Sequence, residues 1–292
     1  MDRSLVVDFL REYEGFSPFM IPRELGVEPD DRFVVSIVGP RRAGKTYYLL
    51  SIRNKLSKAL YVNFEDLRLM GIGYDDLREI VRVYVEVYGF EPQVLLLDEI
   101  QSVEGWELVV RQIHDLKKYK MMITGSSSKL LSKEMAPQLM GRTLSYILLP
   151  FSFREFLKAK EIEVEKHMSK DEEAKLRALL TEYLEYGGFP DVVYGKDKLK
   201  ILREYIDLIL FRDFIERHNI KNFALARFMF NFYIQNYSSE VTLNSVFKRA
   251  KSMGLKISKD TVYDYTSKLE DTAYFFFIDR FSSKAHLRES LL

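Results

Sequence analysis

Gly39-Pro40-Arg41-Arg42-Ala43-Gly44-Lys45-Thr46 fits the phosphate-binding pattern G-x-x-x-x-G-K-[ST]. The glycines let the backbone curl so that successive N–H groups point inward at a β-phosphate. Lys45 is placed to reach the β- and γ-phosphates, and the Thr46 hydroxyl to hold Mg2+. The context agrees. Residues 33–38 (FVVSIV) read as a buried strand, and residues 47–56 continue as an amphipathic helix starting at Tyr47. A nucleoside triphosphate is the expected ligand.

Working outward, residues 59–63 (ALYVN) read as a second strand and residues 74–88 as a helix, the alternation of a parallel α/β sheet. Val94-Leu95-Leu96-Leu97-Asp98-Glu99 is a fully apolar strand ending in two carboxylates at the edge where ligands of such sheets bind. Asp98 is suited to hold Mg2+, and Glu99 to orient and deprotonate a water; a plain strand end is the bland alternative. A helix over 106–119 leads to the strand 121–124 (MMIT), after which Thr124 or Ser126 can contact the γ-phosphate or the attacking water. Ser126 to Ser128 also suit a cap for a helix near Lys129, and both roles can hold at once. Arg142, before the strand 143–149, is a candidate arginine finger in its own or a neighbouring subunit, the latter requiring a homo-oligomer; an ordinary salt-bridging arginine is the alternative.

The flanks differ from this core. Residues 2–14 carry apolar positions at helical spacing, followed by a Gly- and Pro-broken arm whose acidic excess reads as solvated surface. From Phe151 the pattern turns helical, over 153–160, 171–186, 199–217 and 223–237, with a tight turn at Gly187-Gly188-Phe189-Pro190. The last segment has the outline of a winged helix: a helix over 243–253, a turn, a helix over 258–270 capped by Ser258, and a strand over 273–281. Lys259, Thr261, Tyr263 and Lys268 can face DNA, and residues 239–259 carry a local net charge of +4. A winged helix can equally pack on its own nucleotide domain, so double-stranded DNA stays one of two alternatives. The expected division is a helix and arm (1–31), a P-loop core (32–152), a helical lid (153–237) and a winged helix (238–292).

Composition narrows the classes. The 292 residues carry 44 basic and 43 acidic side chains, so no global charge argues for nucleic acid or membrane. There is no cysteine, which excludes disulfides and thiolate metal sites and fits a reducing cytoplasm. No uncharged run approaches the ~18 residues of a membrane span. The four histidines show no paired ligand spacing, so zinc is not expected. Neither the Asn-Lys-x-Asp signature of GTPases nor the Leu-Ser-Gly-Gly-Gln run of transporter ATPases occurs.

In order, the chain carries GPRRAGKT, LLLDEIQ, ITGSSSKLL, LMGR, LPFSFREFL and YGGFP. Together these closely resemble the archaeal and bacterial P-loop ATPases of the AAA+/STAND group, over about residues 30–290. The resemblance implies a five-stranded parallel core with a helical lid and a winged helix, and ATP as the nucleotide. It maps the ATPase roles onto Lys45, Thr46, Asp98 and Glu99, and the adenine-approaching Gly-x-Pro turn of related switch ATPases onto Gly188-Phe189-Pro190. Such proteins commonly continue into a restriction-endonuclease-like domain. No D…ExK constellation follows the last expected strand, so the chain reads as a short or truncated member without nuclease activity. The expected function is Mg2+-dependent ATP hydrolysis driving a conformational switch. The alternative is an ATP-gated DNA-binding regulator with slow turnover.

Overall fold

Short, mostly apolar segments alternating with helices and turns form one parallel sheet, whose central strands have no polar side and so need burial on both faces. The computed structural model describes residues 1–73, 76–125, 139–165 and 167–278. They divide into two compact units, Met1–Lys198 and Leu199–Leu292. In the first, the strands are β1 (Val34–Val38), β2 (Ala59–Asn63), β3 (Val94–Asp98), β4 (Lys120–Gly125) and β5 (Thr143–Ile147). Their order is β2-β3-β4-β1-β5, every neighbour parallel. All residues of β1 and β3 are buried, as central strands require, whereas β5 is only partly covered at its edge. Because the strands run together, Val38, Asn63, Asp98 and Gly125 all end at one carboxyl edge.

The helices flank that sheet. They are α1 (Arg3–Gly15), α2 (Lys45–Arg53), α3 (Asp76–Tyr88) and α4 (Trp106–Asp115). The first is capped by the Asp2 carboxylate on the Ser4 N–H and buries Val6, Phe9 and Leu10 in the main core. After β5, α5 (Phe153–Ala159) and α6 (Lys170–Tyr186) each begin with a reciprocal cap, Ser152 with Glu155 and Ser169 with Glu172. A short α7 (Pro190–Tyr194) follows, and Phe151, Phe156, Leu157 and Val193 form a small core with Tyr183. The serines 126–128 and the helix expected near Lys129 lie outside the described residues.

In the second unit, α8 (Lys198–Leu208) runs into an eight-residue π-helix, Ile209–Glu216, where a single α-helix is expected from the spacing. Then come α9 (Phe223–Gln235), α10 (Leu243–Ser252) and α11 (Lys259–Glu270), the last capped by Ser258 on the Thr261 N–H. Two expectations change here. The strand over 273–281 does not form in its described part: Ala273 has φ 54°, and the aromatic rings that follow turn onto the helices. Phe275 meets Phe230 at 5.2 Å and Phe277 meets Tyr233 at 4.8 Å between ring centres. Residues 279–281 lie outside the described residues. The boundary at 237/238 also moves. Met229, Phe230 and Tyr233 of α9 share one core with Val246, Ala250, Val262 and Leu269 of α10 and α11, so α9 groups with the helix pair rather than with α5 to α7.

Phe230 is fully buried in that shared core. Phe230→Ala is expected to cost about 3–5 kcal/mol in denaturant unfolding of the second unit. Hydrogen exchange should speed up in α10 and α11 together with α9; acceleration confined to α9 would restore the boundary at 237/238.

Candidate nucleotide-binding site

At the end of β1 the chain must turn at once under β5, and Gly39 is the residue that permits it. A Cβ there would lie 2.1 Å from the Leu148 carbonyl oxygen, and the residue sits at φ 154°. Pro40 and Ala43 are buried, Arg41 partly so, and Arg42 is exposed in the left-handed region at φ 65°. Gly44, at φ 94°, opens α2. These turns form the curled loop that its glycine spacing predicts, with α2 starting at its end. Lys45 is 4% exposed and folds back to donate to the Gly39 and Pro40 carbonyls, both at 3.1 Å. Its Nζ lies 3.9 Å from Glu99 Oε1. Tyr47 stands half exposed on the outer side of α2.

β3 delivers the carboxylates to the same edge. Asp98 is fully buried, and its oxygens accept from Tyr61 Oη at 2.8 Å, from Thr124 Oγ1 and from the Thr46 hydroxyl. Burial, and then the neighbouring Glu99, push the Asp98 carboxyl above its ordinary range, and the hydroxyl donors oppose that rise. Burial and Asp98 drive the Tyr61 phenol upward, so it stays a neutral donor. Glu99 leaves the strand at φ 52°, a left-handed conformation that costs an L-residue about 1–3 kcal/mol. Its N–H donates to Thr124 Oγ1 at 2.9 Å, and Gln101 Nε2 donates to its carboxylate. Thr124 therefore ties Asp98 to the Glu99 backbone. Together Thr46 and Asp98 present the hard oxygen donors that suit Mg2+, with Lys45 alongside for phosphate.

Three partners escape a linear reading. Tyr61 and Gln101 act on the two carboxylates, and Arg23 crosses from the N-terminal arm to the phosphate loop. Its guanidinium donates to the Ala43 carbonyl at 2.9 Å, pairs with Glu155 at 3.0 Å where both are buried, and lies 5.1 Å from the Phe151 ring centre. The acidic side chains of the arm mostly lie exposed, as its charge suggests, while Arg23 ties the arm to the loop. Tyr48 of α2 holds it too, its hydroxyl donating to the Leu25 carbonyl at 2.7 Å. The Gly188 turn docks nearby: its carbonyl accepts from the Phe151 N–H at 2.7 Å, and a Cβ on Gly44 would lie 3.9 Å from Pro190 Cγ.

Arg142 is elsewhere. It precedes β5, which runs parallel to β1 with Thr143 beside Val34, so it sits at the amino edge of the sheet. The length of a five-residue strand, roughly 16 Å, separates that edge from the loop. There it donates to Asp115 at 3.1 Å. The salt-bridging alternative describes it, and a finger acting on its own subunit's nucleotide is ruled out. Ser126 lies outside the described residues.

Residues 31–157 match the family model described as AAA domain, and residues 177–291 match one described as a domain of unknown function (DUF8612). An uncharacterized protein of Methanocaldococcus jannaschii is 38% identical over 270 residues, which cover 91% of this chain and 60% of that protein. One of Haemophilus influenzae is 30% identical over 257 residues, covering 85% of this chain and 62% of that protein. The chain spans about three fifths of the length of the curated relatives it matches. Among solved structures, the Aeropyrum pernix Orc1 protein in complex with DNA aligns over 92% of this chain and 81% of that one, at 13% identity and a TM-score of 0.34. With its parallel sheet, its phosphate loop and the AAA match, the stretch 31–157 is an α/β domain similar to AAA P-loop ATPases. Among the described residues, no helix is long and apolar enough to cross a membrane.

The buried Asp98 makes stability depend on pH in the nucleotide- and metal-free protein. Its pKa is raised on folding, so the folded chain holds the proton more tightly than the unfolded one. The cost of ionising it is absent below the ordinary carboxylate range and grows as pH rises above that range. Asp98→Asn removes the charge, and a facing hydroxyl can turn to accept from the amide. Its melting midpoint is expected to exceed wild type at about pH 7 and to approach it at about pH 4. A gain independent of pH would show that Asp98 titrates normally.

Proposed function

We propose that this protein is a cytosolic, Mg2+-dependent ATPase whose hydrolysis drives a conformational switch. The observation that carries the reading is the convergence of Lys45, Thr46, Asp98, Glu99 and Thr124 at one sheet edge, joined by the contacts above. In this reading the loop N–H groups and Lys45 hold the β- and γ-phosphates. Thr46 and Asp98 would hold Mg2+, which when bound supplies charge neutralisation across the phosphates. Glu99, turned out of its strand toward Lys45 and held by Gln101, takes the proton of the water that attacks the γ-phosphorus, and ADP leaves. Thr124 keeps the two carboxylates in register, while Pro190 flanks the loop on the side proposed for adenine. Arg23 and Glu155 stiffen the loop from behind.

The measurement is steady-state phosphate release with MgATP. Lys45→Ala is expected to lose binding and turnover. Glu99→Gln should keep ATP binding and lose turnover by about 100-fold or more, the usual weight of a general base. Wild-type turnover in Lys45→Ala would refute the ATPase.

A second reading, an ATP-gated DNA-binding regulator, is favoured by the helix pair α10 and α11. Lys248, Arg249, Lys251, Lys256 and Lys259 are all exposed there, as is Tyr263. Lys268 is instead paired with Asp264 at 2.7 Å and Thr261 is spent on the Ser258 cap, so of those four expected DNA-facing residues Lys259 and Tyr263 are the two that stand exposed. If the pair binds double-stranded DNA, Lys256→Glu with Lys259→Glu should abolish an affinity that falls steeply with salt and that survives Glu99→Gln. Unchanged affinity in the charge-reversed protein would remove this reading.

A further inference from the structure

Behind the phosphate loop, at the far end of α2, lies a cleft of about 270 Å³ among α1, α2, β2 and α3. It is lined by Tyr13, Arg53, Tyr61, Tyr84, Tyr88 and Phe90, among others. Arg53 closes α2, and its guanidinium is poorly served. Nη2 donates to the Glu14 carbonyl at 2.8 Å, and Nη1 is buried with no hydrogen-bond partner. Among the described residues it forms no direct ion pair, and the Glu14 carboxylate acts on it only from farther off. Buried donors are nearly always satisfied, so Nη1 of this half-buried guanidinium calls for an acceptor. The walls around it are flat rings: Tyr84 meets Tyr88 at 4.6 Å and Phe90 at 5.9 Å, and Tyr13 meets Tyr61 at 4.9 Å between centres.

We propose that this cleft binds a small monocarboxylate with a flat aromatic body, the carboxylate on Arg53 and the body among the rings, and that Tyr61 reports its presence to Asp98. The guanidinium is a planar fork matched to one carboxylate. Glu14, whose carboxylate lies 3.4 Å from the Tyr88 hydroxyl, disfavours a second negative charge and so argues against phosphate. The volume falls just short of the roughly 300–1,000 Å³ that drug-sized ligands occupy, so the ligand is a small one. Tyr61 is the link, because its ring lines the cleft while its hydroxyl donates to Asp98 at 2.8 Å. This coupling rests on the nucleotide-site reading above; the binding itself does not.

The probe is benzoate, titrated calorimetrically into nucleotide-free protein, with benzamide and inorganic phosphate as controls. Saturable binding with a dissociation constant on the order of a millimolar is expected. It should weaken at least about tenfold in Arg53→Met and for neutral benzamide, and inorganic phosphate should not compete. Arg53→Met removes a charge that burial already disfavours, and circular dichroism checks that it stays folded. Benzoate should then shift MgATP affinity about fivefold or more in wild type, and not in Tyr61→Phe, which keeps the ring and loses the bond to Asp98. No saturable benzoate binding to wild type, or equal binding by Arg53→Met, overturns the site. Binding without any shift in MgATP affinity overturns the coupling. Should wild type fail to bind MgATP at all, the nucleotide reading falls while the nucleotide-free titration still decides the cleft.

Discussion

A fully buried carboxylate is the constraint on which the nucleotide edge of this fold depends. Asp98 ends a strand whose other residues are all apolar, and it is itself fully buried. Taking an ion from water into such a place is unfavourable by several kcal/mol unless donors surround it. Tyr61, Thr124 and Thr46 supply them from β2, β4 and α2. The carboxylate thus pins three elements besides its own, and the strand order follows suit. With β4 between β1 and β3, Thr124 stands between the phosphate loop and the carboxylates, where one hydroxyl can serve Asp98 and the Glu99 backbone together.

Much of this was legible in the sequence, and the reason is locality. The loop 39–46 and the run 94–99 are contiguous, their chemistry lies in residue spacing, and strand polarity alone carries them to one edge. What stayed illegible depends on contacts between distant residues. Arg23 and Glu155 are 132 positions apart, and the charge pattern of the arm gives no hint that one arginine turns inward. Tyr61 reads as an ordinary strand aromatic until β2 is set beside β3. Arg142 is a different kind of failure. A residue before a parallel strand belongs to the amino edge, so its distance from the loop follows from strand direction once direction is considered.

The helical part shows where periodicity stops informing. Apolar spacing located α9, α10 and α11 to within a few residues. It could not say that α9 belongs with the last two helices, because an apolar stripe does not name its partner. The aromatic run after Thr272 looks like a strand by composition. Tyr274, Phe275 and Phe277 instead spend their rings on Phe230 and Tyr233, a tertiary preference that outweighs strand propensity.

The π-helix Ile209–Glu216 has a consequence for how this segment can tolerate change. A hydrogen-bond ladder of this kind spans one more residue per bond than an α-helix, and eight residues of it is long for a class found mostly as single bulges. The surplus is kept by the burial of Ile209, Leu210, Asp213, Phe214 and Ile215, with Arg217 answering the Asp213 charge at 3.0 Å. In an ordinary helix the loss of one residue turns everything beyond it by about 100°. Here a lost residue can be absorbed by tightening the ladder to α-helical pitch, so the segment is a reservoir of slack in chain length placed in mid-helix, where folds seldom allow any.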